Sequence, residues 1–236
     1  VAANLGSMAP PVGNPQNLFI YAKYSVPAGD FLGVVLPVAG ASLVLLVLAV
    51  LFGPKDGIEV NFGERAEITH SRRLALCIVL FIFCLLAVMR VVNYVAVTAV
   101  VFLTLLLVDR AALKQVDYCL LLTFVFFFIF AGNIGNIPAV NDTLSGMLNG
   151  STFFTSLLAS QVISNVPAAV LLAGFTEDWK GLLLGTDVGG LGTIIASLAS
   201  LISFKLYCAT PEAKGGKYLL WFTVVNVAAL ALFIPL

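Results

Sequence analysis

Residues 152–175, TFFTSLLASQVISNVPAAVLLAGF, form an apolar run with polar residues at its centre. Both of its ends are apolar enough for a bilayer, but its middle is not. The interrupting residues are Ser160, Gln161, Ser164, Asn165 and Pro167. An unpaired backbone group in lipid costs several kcal/mol, so broken helices are tolerated at membrane depth only where they line a cavity or contact other protein segments. The pattern therefore predicts a re-entrant hairpin with its tip in the middle of the stretch.

The whole chain has the composition of a membrane protein. Of its 236 residues, 61% are apolar and 10% are charged, and the mean hydropathy is +1.07. Soluble domains carry about 45–50% apolar and about 25% charged residues. This surplus of apolar side chains excludes a soluble or a disordered protein, and the net charge of +0 offers no basic field to nucleic acid. We expect an integral protein of the plasma (inner) membrane, with the lipid bilayer as its partner.

Other apolar stretches predict simple transmembrane spans, because about 20 apolar residues cross the hydrocarbon core. Residues 74–108 would form a helix of about 52 Å, so they are divided near Arg90. The predicted spans are residues 31–52, 74–89, 91–108, 118–133 and 217–236. Residues 182–206 are apolar around a polar and glycine-rich centre, and they predict a discontinuous helix. Residues 1–23 have the same interrupted character.

The basic residues support the hairpin independently. Lys and Arg mark the cytoplasmic side of short loops. With residues 53–73 as a cytoplasmic loop and the hairpin entering and leaving on the outer face, nine of the twelve basic residues lie on the cytoplasmic side. If residues 152–175 crossed the membrane instead, the basic residues would divide six to six. The charge distribution therefore favours the hairpin.

A weak internal repeat relates the two interrupted segments at an offset of 183 residues. The aligned pairs are Asn4 with Asp187, Gly6 with Gly189, Asn14 with Ser197 and Tyr24 with Tyr207. With the predicted topology the copies run in opposite directions, as in inverted-repeat transporters whose substrate site lies near the midplane. We therefore divide the chain into the end of a first repeat (1–52), a cytoplasmic loop (53–73) and a second repeat (74–236). Because the chain begins inside a patterned segment, we expect it to be a C-terminal fragment.

Two motifs resemble the citrate-transporter-like group of the ion transporter superfamily. Residues 4–17, NLGSMAPPVGNPQN, are similar to the signature N-x-G-G-x-x-T-P-x-G-N-P-x-N, and residues 160–167, SQVISNVP, are similar to the hairpin tip S-x-x-x-S-N. That group includes divalent-anion/sodium symporters, citrate carriers, arsenite-efflux subunits and sodium/proton antiporters. The resemblance implies an all-α polytopic bundle with inverted repeats, a re-entrant hairpin and discontinuous helices. Family members are often homodimers.

The resemblance also implies cation and substrate sites, with a coupling Na⁺ or H⁺ and no cofactor. Unwound helices expose carbonyl oxygens, and Ser, Thr and Asn side chains can complete the shell of a sodium ion. The implied cation-binding residues are Asn4, Gly6, Ser7, Ser160, Ser164, Asn165, Asp187, Gly189 and Gly190. The implied substrate-binding residues are Ser164, Asn165, Asn14, Asn17 and Thr193. The alternative is that these small residues only tighten the packing of helices in the membrane.

Asp187 is the sharpest single candidate, because relatives often carry Asn at this position. An intramembrane carboxylate costs roughly 2.5–3.5 kcal/mol and is a functional candidate by default. We expect Asp187 to ligate the coupling cation or to take up a proton; a solvated position at the outer mouth is the alternative. Val166 stands where many dicarboxylate symporters carry Thr, and residues 196–200 lack the G-N-P-x-N pattern. Both departures argue against a citrate or dicarboxylate as the substrate, although Gln161 and Thr193 are candidate substitute hydrogen-bond donors.

Together these features favour a secondary active transporter that moves a small di- or tricarboxylate-like anion by alternating access. An arsenite-type efflux subunit or a sodium/proton antiporter of the same superfamily is the alternative. A membrane-embedded enzyme is disfavoured, because the sequence has no H-E-x-x-H or G-x-S-x-G motif and its single histidine, His70, falls in the predicted loop. The four cysteines form no C-x-x-C pair and are expected to pack as small apolar residues.

Overall fold

The computed structural model describes residues 1–52, 71–211 and 213–234. Its regular secondary structure in these residues is helical, which confirms the predicted all-α fold. The helices are α1 (Ala2–Gly6), α2 (Pro15–Lys23), α3 (Ala28–Phe52), α4 (Ser71–Val88), α5 (Tyr94–Val108), α6 (Arg110–Lys114), α7 (Tyr118–Ile134), α8 (Pro138–Gly150), α9 (Thr152–Ile163), α10 (Asn165–Leu172), α11 (Trp179–Gly189), α12 (Leu198–Cys208) and α13 (Gly215–Phe233). A short 3-10 turn, Ile194–Ala196, precedes α12.

Among the described residues, α3, α4 and α13 are long and apolar enough to cross a membrane. The pair α7 and α8 passes the same test together, but it is bent by 99° at the short break between its helices. Pro138 begins α8, where its missing N–H leaves no helical hydrogen bond unmade. The sequence analysis predicted the span that corresponds to α7 but not the second helix of the pair.

The chain divides into two compact units, and α3 contributes to both. The smaller unit is Leu48–Tyr118. In it α4 packs against α5, and the chain turns between them at Arg90, whose φ of 61° lies in the left-handed region. Asn93 then caps α5, since its Oδ1 accepts the backbone N–H of Val95 at 2.8 Å. Most of the predicted cytoplasmic loop, including His70, lies outside the described residues.

The larger unit comprises Val1–Val47 and Cys119–Leu236, and it contains both interrupted segments. The first helix of each pair ends at equivalent positions, Gly6 and Gly189, and the second helix begins after equivalent N-caps, Asn14 and Ser197. These boundaries keep the offset of 183 residues that the sequence repeat shows. The weak repeat thus corresponds to two helix interruptions of the same length.

The predicted hairpin consists of α9 and α10, which pack against each other on either side of Ser164. Ser164 has φ 74° and ψ 152°, a conformation that interrupts the helix between Ile163 and Asn165. The α9 helix also packs closely on α11. A row of small residues one turn apart makes this approach possible: Thr152, Ser156 and Ser160 on α9 face Gly181, Gly185 and Gly189 on α11.

The apolar core lies where these elements meet. Leu5 of α1, Val38 of α3, Leu157 of α9 and Val188 of α11 are buried together, with Met8, Leu191 and Phe233. Met8 and Leu191 belong to the two interruptions and occupy equivalent positions of the repeat. Burial of these side chains fixes the unwound segments against the helices, and so positions the polar groups on either side of them.

Candidate functional site

The hairpin tip and both interrupted helices border a cavity of about 420 Å³ in the larger unit. Its wall is made of residues 163–167 at the tip, 14–16 at the start of α2 and 197–199 at the start of α12. Asn4 of α1 and one face of α7 complete the lining. Parts of both repeats and of the hairpin therefore face one space.

Three helices, α2, α10 and α12, begin at this cavity. Their N-cap residues Asn14, Ser164 and Ser197 all line it. Helix N-termini carry unpaired N–H groups and a partial positive charge, which favour anions. The side chains of Asn14 and Ser164 form no capping hydrogen bond, whereas the Ser197 hydroxyl accepts the backbone N–H of Ser200 at 3.2 Å. At α2 and α10 the first N–H groups are therefore left without a side-chain cap.

Beside the cavity, the two interrupted helices exchange polar contacts. Asn4 Nδ2 donates to the carbonyl oxygen of Gly190 at 2.8 Å and approaches Ser200 Oγ at 3.5 Å. In the other direction, Gln16 Nε2 donates to Asp187 Oδ1 at 3.1 Å. Asn4 and Asp187, which are equivalent in the repeat, thus both contact the other copy: Asn4 meets its interruption at Gly190, and Asp187 meets α2 at Gln16.

Asp187 is 1% exposed, and its Oδ2 atom has no hydrogen-bond partner. The Oδ1 atom of Asn17, which is also fully buried, lacks a partner as well. The side chains of Asn14 and Asn17 both approach the Asp187 carboxylate. A buried unpaired oxygen is rare in native proteins and needs a physical explanation, such as an ion or a proton. Its burial excludes the solvated outer mouth that the sequence analysis left open for Asp187.

The predicted substrate-binding residues are brought together only in part. Ser164, Asn165 and Asn14 line the cavity. Asn17 lies buried behind it and donates from Nδ2 to the carbonyl of Met8 at 2.9 Å. Thr193 is exposed and is hydrogen-bonded to Gln161, outside the lining of the cavity.

Of the predicted cation-binding residues, Asn4, Ser164 and Asn165 face the cavity. Ser160 donates to the carbonyl of Ser156 at 2.7 Å, and it packs on Gly189 in the α9–α11 contact. Both residues thus contribute to the packing of α9 on α11.

The other predicted cation-binding residues lie around the first interruption and at the contacts between the two interrupted helices. Gly6 is exposed, and Ser7 Oγ lies 2.6 Å from both the carbonyl oxygen of Ala3 and Asn14 Oδ1. With one proton, the hydroxyl donates to one of these two acceptors at a time. The carbonyl of Gly190 accepts the Asn4 amide. Asp187 is the member of the set that combines deep burial with an unpaired oxygen.

Sequence reasoning missed the wall that α7 contributes. Leu120, Thr123, Phe124 and Phe127 recur at helical spacing and line the cavity. Because α7 is apolar on all sides, its periodicity does not distinguish this face from the others. Thr123 is the one polar side chain among these four, and it is the residue from which this lining face could have been predicted.

Tyr24 joins the end of α2 to the segment after the hairpin. Its hydroxyl donates to the carbonyl of Thr176 at 2.7 Å and approaches that of Ala173 at 3.3 Å. Burial raises the pKa of Tyr24 to about 12, and the nearby carboxylates of Glu177 and Asp178 add to this effect. Tyr24 therefore remains a neutral donor at physiological pH.

Comparison with known proteins agrees with this architecture. The sequence profile of the family CitMHS, described as citrate transporter, matches residues 1–178. The chain belongs to the citrate transporter family. Its relatives are named as a transporter and as an inner membrane protein, which agrees with the long apolar helices of the structure.

Two relatives align with this chain along most of its length. It is 31% identical over 234 residues to "Uncharacterized transporter MJ0456" of Methanocaldococcus jannaschii, covering 99% of this chain and 63% of the relative. It is 31% identical over 210 residues to "Inner membrane protein YbiR" of Escherichia coli, covering 87% of this chain and 56% of the relative. The chain thus spans about three fifths of the length of these relatives. No solved structure matches it.

Proposed function

We propose that this protein is a secondary active transporter that moves a small di- or tricarboxylate-like anion by alternating access, coupled to a sodium or proton gradient. The observation that carries the proposal is the convergence of three helix N-termini on one cavity. Partial positive charge from helix ends attracts an anion without a fixed cationic side chain. The family description, citrate transporter, supports the same class of substrate.

The size and chemistry of the cavity fit a small molecule. Ligand pockets commonly have volumes of roughly 300–1,000 Å³ and apolar walls with a few placed polar groups. The cavity has about 420 Å³, and Asn14, Ser164 and Asn165 provide polar groups beside the uncapped helix ends. Among the residues that the structure describes, neither Lys nor Arg lines it. An anion bound through helix ends and amides alone is held weakly enough to be released on the other side.

Asp187 is the proposed coupling residue. Its unpaired Oδ2 atom would bind the coupling cation or carry the proton, because a buried carboxylate without a counter-charge is costly. Gln16 connects its other oxygen to the start of α2, one of the three helices that begin at the cavity. Occupancy at Asp187 therefore affects the orientation of a helix end that faces the substrate.

The test is uptake by the purified protein in liposomes. Radiolabelled citrate and succinate are offered under an inward sodium gradient with pH clamped, or under a proton gradient with sodium absent. We expect one of the two gradients to drive accumulation of one of the anions. Accumulation that requires ATP, or equilibration that neither gradient changes, would contradict gradient-coupled transport.

A sodium/proton antiporter is the second candidate, favoured by a separate observation. Much of the cavity lining is apolar, including Val166 at the hairpin tip, while the buried carboxylate of Asp187 could exchange Na⁺ for H⁺. Liposomes loaded with a pH-sensitive dye distinguish the two. Sodium-driven alkalinisation or acidification of the lumen without any carboxylate would favour the antiporter over the anion transporter.

A further inference from the structure

Gln161 of α9 is bound to the interruption after α11 through its whole carboxamide. Its Nε2 donates to the carbonyl of Gly189 at 2.7 Å and to that of Leu191 at 2.9 Å. Its Oε1 accepts the backbone N–H of Thr193 at 2.9 Å, and the Thr193 hydroxyl donates to the Gln161 carbonyl at 3.1 Å. Four hydrogen bonds thus join one residue of the hairpin to residues 189–193, which are the last residue of α11 and the unwound segment after it.

The interruption is shaped around this side chain. Gly192 has φ 98°, in the region that favours glycine. A Cβ atom at Gly192 would collide with Oε1 of Gln161 and would lie 3.1 Å from its Cδ atom. The close approach of the backbone to the carboxamide therefore depends on glycine at this position, and the contact is specific rather than incidental.

The carbonyl oxygens involved are those that an unwound transmembrane helix offers to a sodium ion. Gly189, Gly190 and Leu191 are consecutive, and each of their carbonyls accepts a side-chain amide N–H, from Gln161, Asn4 and Gln161 respectively. In a low-dielectric site, such oxygens need either a donor or a cation. Here the protein supplies donors.

We propose that Gln161 takes the place of a cation at the interruption after α11, so that the hairpin closes onto this segment without sodium. The proposal deepens the proposed function, on which its meaning for transport rests. With Gln161 in this role, the coupling cation is assigned to the surroundings of Asp187, where Asp187 Oδ2 and Asn17 Oδ1 are buried without partners. The four hydrogen bonds between Gln161 and residues 189–193 form without a substrate.

The variant Gln161→Glu tests the exchange of roles between amide and cation. A carboxylate has no N–H groups, so it would face the carbonyls of Gly189 and Leu191 with another acceptor and would need a cation between them. We expect sodium, compared with choline at equal ionic strength and mildly alkaline pH, to raise the Tm of this variant by about 5 °C more than that of the wild type. The matched control is Gln115→Glu at the exposed end of α6, which should respond like the wild type.

Equal sodium responses of the wild type and both variants would overturn the proposal. If Gln161→Glu does not fold, Gln161→Met removes both donors at similar volume. Its deuterium uptake across residues 189–193, measured in sodium-free buffer, should be about tenfold faster than in the wild type; unchanged uptake would overturn the proposal. Both readouts use purified protein, so a failed liposome assay would remove the proposed function and leave this result standing.

Discussion

At the scale of single residues, a buried oxygen without a partner is more informative than membership in a motif. Among the described residues, Asp187 Oδ2, Asn17 Oδ1 and, on α13, Asn226 Oδ1 have no hydrogen-bond partner, and Asp187 is the one that carries a charge. In contrast, Ser160 and Ser7, which belong to the motifs, already donate to carbonyls of their own helices. A hydroxyl that is bonded within its helix has less to offer an ion than an oxygen with no partner.

Asp187→Asn is the direct test at this scale. The substitution keeps the shape of the side chain and its contact with Gln16 but removes the charge that would hold the coupling cation. We expect gradient-driven uptake in liposomes to fall by at least about tenfold, since a lost ionic contact to a charged group is worth about 1.5–3 kcal/mol. The Tm should not fall, because the variant no longer buries an unpaired carboxylate.

The matched control is Asp142→Asn, an exposed position on α8, which should leave both uptake and Tm unchanged. A lower Tm in Asp187→Asn, with uptake reduced only in proportion to folded protein, would indicate a structural role for Asp187 instead. An unchanged dependence on pH and on sodium would remove the coupling role.

At the scale of elements, the contact between α9 and α11 determines the position of the hairpin. The contact depends on small side chains, because an added Cβ at Gly185 would collide with Ser156 Oγ and the carbonyl of Phe153. Membrane helices approach closely through such residues, since lipid offers no hydrophobic force that favours helix association. The hairpin tip can face the cavity only while this approach is kept.

Gly185→Ala tests that packing. Overpacking of a close contact costs about 1–3 kcal/mol, so the Tm of the purified protein should fall by several degrees, and uptake with it. Gly132→Ala, in α7, is the control, because an added Cβ there meets nothing within 4 Å. It should be neutral or stabilising, as expected for glycine replaced by alanine in a helix. Equal Tm values for both variants would show that the α9–α11 contact tolerates separation.

At the scale of the whole molecule, the two copies of the repeat contact each other through the equivalent residues Asn4 and Asp187. Asn4 reaches Gly190 and Ser200, and Asp187 is reached by Gln16. Inverted repeats that share one site can alternate its access by exchanging their conformations. Alternating access is part of the proposed function, and the contacts between the two copies are where a variant can test it.

Exchanging the two residues tests the equivalence. The double variant Asn4→Asp with Asp187→Asn moves the carboxylate to the same position of the other copy, beside Ser200. We expect it to recover a measurable part of the cation-dependent uptake that Asp187→Asn loses, with the single variant Asn4→Asp as the comparison. Uptake no higher than in Asp187→Asn would show that the copies are not interchangeable at this position.

The class of protein, the positions of the helix interruptions and the repeat can all be predicted from the order of the residues alone. The composition indicates a membrane protein, because 10% charged residues cannot cover the surface of a soluble protein of this size. Glycine, proline and asparagine within apolar runs mark the breaks, since these residues weaken or end helices locally. Both properties act at short range along the chain, and so they are visible without coordinates.

Which polar groups already have hydrogen-bond partners becomes visible in the folded chain alone. Gln161, a candidate substitute donor to a substrate, binds backbone carbonyls instead, and Gly189, a candidate ligand, is also a packing residue. The partner of Asp187 lies 171 positions away along the chain, at Gln16. The face of α7 that lines the cavity could not be recognised in the sequence either, because the whole helix is apolar. A site is defined by which groups lack partners, and that depends on segments distant in sequence that meet only in the folded chain.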